Sequence, residues 1–138
     1  MKRILVVGGG YAGVLAAVRA QRALARQPAP FEVVLLSERD RWVERIRLHQ
    51  QLAGQPLKPR PLAPLAQAAG FQLKLGRAAR VDAAARTVWL ESGERLAWDS
   101  LVLAIGSQTR SAPDGALTLD IATTDAGRAR LLRGALAS

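Results

Sequence analysis

The chain contains no cysteine, which excludes a disulfide framework and any CxxC redox or zinc site built from its own residues. Such usage agrees with a reducing, cytoplasmic compartment. Histidine is nearly as scarce: His49 cannot build a His cluster, and the scattered carboxylates have no ligand spacing, so no metal site is expected. No apolar run approaches the ~20 residues that a membrane-spanning helix requires. The start Met1-Lys2-Arg3 resembles a short basic leader, but glycines break the following apolar run within a few residues. It reads as a first strand rather than a signal peptide, and the protein is expected to be soluble.

Lysine is confined to Lys2, Lys58 and Lys74, so the net charge of +9 comes from arginine. A strongly basic chain raises the question of a nucleic-acid partner. Yet Arg19, Arg22, Arg26, Arg45, Arg60, Arg77, Arg95 and Arg130 are spread along the chain without a basic run or interleaved aromatics. That pattern argues for a solvated basic surface, with no nucleic acid as partner, and it favours an anionic cofactor. The length of 138 residues and a hydrophobic content near half, 49%, are those of one domain with a real core.

The apolar run Ile4-Leu5-Val6-Val7 is continuous rather than alternating, as in a parallel strand covered on both faces. It leads directly into Gly8-Gly9-Gly10-Tyr11-Ala12-Gly13, a GxGxxG run, and then into a helical pattern from Tyr11 to about Arg26 that stops before Pro28 and Pro30. Strand, glycine turn and helix in that order form a dinucleotide-binding signature. Gly8 allows the tight turn, Gly10 the close approach of a pyrophosphate, and Gly13 the packing of helix on strand. The N–H groups at the start of the helix, at Tyr11 and Ala12, face the phosphates. Phe31 to Leu36 is a second buried strand, completing a β-α-β unit.

Arg41 to Leu52 has helical potential, a Pro-rich connection follows, and a short helix at Leu62–Ala69 ends at Gly70. From Phe71 the pattern changes to short strands: Phe71–Leu75, Ala78–Asp82, Thr87–Glu91 and Arg95–Trp98, the last two flanking the turn signal Ser92-Gly93. Leu101–Ala104 reads as another buried strand ending near Gly106, and Thr123–Leu136 as a closing or linker helix. The expected fold is α/β: a Rossmann-like parallel sheet with flanking helices and an inserted three-stranded antiparallel meander between residues 78 and 98.

This order, ending in Trp98-Asp99-Ser100-Leu101-Val102-Leu103-Ala104-Ile105-Gly106-Ser107, resembles the FAD-binding half of the pyridine nucleotide-disulfide oxidoreductase superfamily. The segment Arg41 to Gln50 is similar to that of bacterial type II NADH dehydrogenase-like flavoproteins. The resemblance covers nearly all 138 residues. It departs at Ile105, where the superfamily has threonine; a hydroxyl is lost, while the backbone turn at Ala104 and Gly106 against the flavin nucleotide can remain.

Carried over residue by residue, the resemblance implies that Gly8, Gly10, Tyr11, Ala12 and Gly13 hold the pyrophosphate of FAD. At the end of the second strand the superfamily's acidic residue accepts the adenosine ribose hydroxyls. Here Ser37 aligns with it and Glu38 follows one residue later, so either Glu38 makes that contact or Ser37 makes a weaker one. Ala78 or Ala79 matches the backbone that meets the adenine edge. Arg45 and Arg47 either approach the phosphates or flavin or line a solvated helix face, and no catalytic side chain is identified.

With no cysteine, the implied chemistry is hydride transfer from NAD(P)H to FAD and onward to an acceptor such as a quinone. Complete members place a second GxGxxG domain, for NAD(P)H, beyond the length of this chain. The expected unit is therefore one FAD-binding domain, 1–138, completed by a second domain, a second chain or self-association, with weak or no turnover alone. Two alternatives stay open: a Rossmann domain that binds NAD(P) without flavin, for which Ser37 and Arg39 resemble a 2′-phosphate pattern, and a non-catalytic interaction module.

Overall fold

The computed structural model describes residues 1–28, 30–42, 44–47, 49–50, 53–55, 57–107, 114 and 134. They fall into two compact units: Met1–Trp42 with Arg60–Gly106, and Val43–Pro59 with Ser107–Ser138. In the first, β1 (Lys2–Val7) leads into α1 (Tyr11–Leu24) and β2 (Phe31–Ser37); α2 (Leu62–Ala69) and β3 (Gln72–Leu75) follow. The meander is β4 (Ala78–Asp82), β5 (Thr87–Leu90) and β6 (Arg95–Ala97), after which β7 (Ser100–Leu103) returns to the first sheet.

That sheet is parallel throughout, in the order β3-β2-β1-β7. The two strands with continuous apolar runs, β1 and β2, occupy its centre, because only central strands are covered on both faces. Successive side chains of β1 point to opposite faces, and each face meets its own core. Val6 joins Val33 and Leu35 of β2 against Val14 and Ala17 of α1, Leu62 and Ala66 of α2, and Phe71. Leu5 and Val7 join Val34 and Leu36 against Val88, Leu90 and Leu96 of the meander. Helices thus cover one face and the antiparallel sheet β4-β5-β6 covers the other, which is the expected α/β architecture with its inserted meander.

Several boundaries match the sequence reading. Helix α1 begins at Tyr11, α2 stops at Gly70, whose N–H donates to the Ala66 carbonyl (2.8 Å), and β5 and β6 flank Ser92-Gly93. The pairing of β4 with β5 shifts register between Ala78 and Arg80, leaving Ala79 at an irregularity. On the meander, Trp89 stands opposite Arg80 and Arg95 in register, with both guanidinium groups over its ring, at 5.3 and 5.0 Å from the ring centroid. These are cation–π contacts across neighbouring strands.

Two expectations need correction. The strand expected at Leu101–Ala104 is β7, Ser100–Leu103, and it is not buried: Val102 is 37% and Leu103 55% exposed. The strand ends the sheet order, so one side has no neighbouring strand among the described residues. The helix expected from Arg41 does not begin there. Arg41 forms an antiparallel bridge with Pro61, and the Trp42 N–H donates to the Arg60 carbonyl (2.8 Å). Trp42 is drawn onto the α1–α2 core, with its ring edge-on to Tyr11 at 5.0 Å, and this packing overrides the local helical tendency.

In the second unit, Arg45–Arg47 forms a 3₁₀ turn, Arg47 pairs with Glu44 (3.2 Å) and Gln50 (2.9 Å), and His49 and Gln50 are helical. The closing helix expected at Thr123–Leu136 lies, Gly134 apart, outside the described residues.

Candidate functional site

The site grows from the end of β1. The Gly8 N–H donates to the Leu36 carbonyl (2.8 Å), continuing the β1–β2 ladder by one residue, and the Ala104 N–H donates to the Val7 carbonyl (2.8 Å). The turns after β1 and β7 therefore lie side by side. Gly8 has φ +119°, and a Cβ there would stand 2.1 Å from the Ala104 carbonyl oxygen. No other residue tolerates both the backbone angle and the contact.

Gly13 performs the matching task on the helix. Its Cβ would stand 1.7 Å from the Gly8 carbonyl oxygen and 3.4 Å from the Ala104 side chain, so the first turn of α1 rests directly on the glycine turn. Gly9 is excluded from carrying a side chain by Ser37, whose Oγ would lie 2.2 Å from its Cβ. Gly10 differs from all three. It is exposed, its backbone is extended, and no atom of the described residues lies within 4 Å of where its Cβ would stand. Among the described residues, three glycines close the fold around the turn, and nothing stands in front of the fourth.

Gly10 is also the N-cap of α1. It offers no side-chain acceptor, and no acidic residue stands in the first turn. The Val14 N–H reaches the Gly10 carbonyl (3.0 Å), so the N–H groups of Tyr11, Ala12 and Gly13 precede the helical ladder. A helix start with no side-chain cap from its N-cap residue, and no described atom at the Gly10 Cβ position, is electrostatically suited to an anion.

The end of β2 sorts Ser37 from Glu38. Ser37 is 3% exposed, and its Oγ donates to the Arg39 carbonyl (2.7 Å) and accepts from the Arg39 N–H (3.2 Å). The hydroxyl closes its own loop. Ser37→Ala is expected to cost about 1 kcal/mol of stability, the usual worth of a buried hydrogen bond, with little effect on nucleotide affinity; chemical denaturation and ligand titration of the same variant check both. Glu38 is exposed at the strand end, 3.4 Å from the Arg77 Nε, and Arg77 reaches Glu91 (3.4 Å) with its other arm.

Among the remaining sequence-derived residues, Ala104 lies against Gly8 and Gly13, Gly106 is exposed beyond β7, Ala78 is half-buried, and Ala79 is exposed at the register shift. Tyr11 stands at the first position of α1 against Trp42. Arg45 lies in the 3₁₀ turn of the second unit rather than on a helix, and its side chain is outside the description. Among the described residues no group of three His, Cys, Asp or Glu is placed to hold a metal, and no helix is long and apolar enough to cross a membrane.

Sequence reasoning missed Gly9, Trp42 and Arg77. Gly9 had a visible signal, the middle of three consecutive glycines, but its constraint comes from Ser37 on another strand. Arg77 follows Gly76 like any exposed arginine, and only the tertiary structure brings it to Glu38.

The family model for pyridine nucleotide-disulphide oxidoreductases matches residues 2–134. Among curated proteins, the chain is 26% identical over 125 residues to the alternative NAD(P)H-ubiquinone oxidoreductase C1 of Arabidopsis thaliana, covering 78% of this chain and 24% of that protein. It is 27% identical over 121 residues to the oxidoreductase ptaL of Pestalotiopsis fici, covering 80% of this chain and 32% of the relative. The chain therefore spans between about a quarter and a third of the curated relatives it matches. In fold it is similar to the sulfide:quinone oxidoreductase of Aquifex aeolicus, with a TM-score of 0.81 at 22% identity over 99% of this chain and 32% of that structure.

Proposed function

Because this chain belongs to the pyridine nucleotide-disulphide oxidoreductase family of FAD-binding oxidoreductases, we propose that it is the flavin-nucleotide-binding portion of an NAD(P)H-dependent flavoenzyme. The observation that carries this reading is the contrast within the glycine turn. Gly8, Gly9 and Gly13 are filled in by neighbours, whereas among the described residues nothing stands at the Gly10 Cβ position, at a helix start without a side-chain cap from Gly10. The pyrophosphate of FAD fits that cradle in charge and in its need for bare backbone.

In this reading the N–H groups at Tyr11, Ala12 and Gly13 bind and orient the pyrophosphate. Glu38 accepts the adenosine ribose hydroxyls, since Ser37 has its hydroxyl committed to Arg39. Ala78 and Ala79 offer backbone to the adenine edge, and the turn from Ala104 to Gly106 backs the nucleotide at the end of β7. A flavin held there would supply the redox chemistry, hydride acceptance from NAD(P)H and electron delivery to an acceptor such as a quinone. The side chains described here hold and orient, and none is required as a nucleophile. A second domain, a second chain or self-association completes the site, and the cytoplasm is the proposed compartment.

Titration of the folded chain with FAD and with NADPH tests the proposal. FAD is expected to bind more tightly, and Glu38→Gln is expected to weaken it about tenfold, because a charged acceptor is worth ~1.4 kcal/mol or more over a neutral one. Tighter binding of NADPH, or FAD binding indifferent to Glu38→Gln, contradicts the assignment.

A further inference from the structure

We propose that Arg77 is a positioning residue that holds Glu38 ready for a ribose diol, an inference that rests on the nucleotide reading above. An exposed glutamate at a strand end samples many rotamers, and binding must restrict them. Arg77 limits that freedom from a fixed base. The Gly76 N–H donates to the Ser37 carbonyl (2.9 Å), and the Glu91 N–H donates to the Arg77 carbonyl (2.9 Å), so the backbone on both sides of the pair is tied down.

Gly76 is part of the device. A Cβ there would press on the Leu90 side chain at 3.0 Å, and the missing side chain lets the connection from β3 to β4 run close over the core, bringing Arg77 beside Glu38. The guanidinium is then held between two carboxylates: its Nε lies 3.4 Å from Glu38 Oε1 and its Nη1 3.4 Å from Glu91 Oε1. Glu91 anchors the far end of the guanidinium. The contact to Oε1 biases the carboxylate of Glu38 while its second oxygen stays available to a hydroxyl.

The side chains of Arg77, Glu38 and Glu91 are 55%, 61% and 57% exposed, so the pairs add little to folding. Their effect is expected in ligand discrimination instead.

The test uses the full 138-residue chain, with ADP and 2′-deoxy-ADP as probes competing against FAD. Wild type is expected to prefer ADP severalfold, and Arg77→Ala to reduce that preference by about twofold to fivefold, the upper part of the range known for exposed ion pairs. Its thermal midpoint should stay near wild type. Arg77→Lys should restore part of the preference, and Arg77→Ala combined with Glu38→Gln should lose no more than Glu38→Gln alone.

An Arg77→Ala chain that keeps the full preference overturns the inference, as do additive losses in the double variant or a wild type without any ribose preference. A folded wild type that binds neither FAD nor ADP removes the nucleotide reading itself. The wild-type measurement therefore separates the two failures.

Discussion

Gly13→Ala is expected to destabilise the chain by about 3 kcal/mol, the upper end of what overpacking costs. The new methyl group would stand 1.7 Å from the Gly8 carbonyl oxygen, and that atom cannot swing aside like the end of a flexible side chain. Gly8 is itself held by its N–H bond to Leu36 and by contact with Ala104, so relief requires moving α1 off the sheet. Moving α1 would open the core in which Val14 and Ala17 meet Val6 and Leu35. Denaturant unfolding followed by tryptophan fluorescence should show a lower midpoint at unchanged slope. A wild-type midpoint would mean that α1 does not rest on the glycine turn.

Gly10→Asp should separate stability from binding. The position has room, an extended backbone and the N-cap role, and aspartate is among the best N-caps. Its carboxylate would accept from N–H groups of the first turn and meet the positive end of the helix, so the chain should be as stable as wild type or more stable by a few tenths of a kcal/mol. The same carboxylate would compete with a pyrophosphate for those groups and repel it. FAD affinity is expected to fall at least a hundredfold, about 2.7 kcal/mol. Isothermal titration beside a thermal melt reads both quantities, and a Gly10→Asp chain that binds FAD like wild type would place the anion elsewhere.

The parts of the fold that could be read from the sequence are those set by short-range pattern. Ile4 to Val7 and Val33 to Leu36 are continuous apolar runs because the centre of a parallel sheet is covered twice. Gly70 and Ser92-Gly93 mark a helix end and a hairpin because local backbone geometry selects them. Leu101 to Leu103 carries the same apolar signature yet comes last in the sheet order among the described residues, since strand order is not written in one strand's composition. Arg41 and Trp42 are extended because an indole gains more from the α1–α2 core than the backbone gains from one more helical turn.

The candidate site divides in the same way. Gly8, Gly10 and Gly13 announce a turn of bare backbone, but their different tasks depend on what approaches each of them. Ala104 fills the space at Gly8, the Gly8 carbonyl fills it at Gly13, and no atom of the described residues fills it at Gly10. The order of Ser37 and Glu38 in the chain does not choose between them. The proposal of Glu38 rests on the Ser37 hydroxyl closing on Arg39 while Glu38 reaches out to Arg77.

The space in front of Gly10 is proposed to belong to the pyrophosphate of FAD. The most direct measurement is the absorbance spectrum of the purified, folded chain after incubation with excess FAD and removal of the free nucleotide, with the retained species identified by mass. Retention of FAD at one equivalent per chain, abolished in Gly10→Asp without loss of folding, is the expected result. A folded chain that retains no flavin, or that keeps a nicotinamide nucleotide in its place, would contradict the claim.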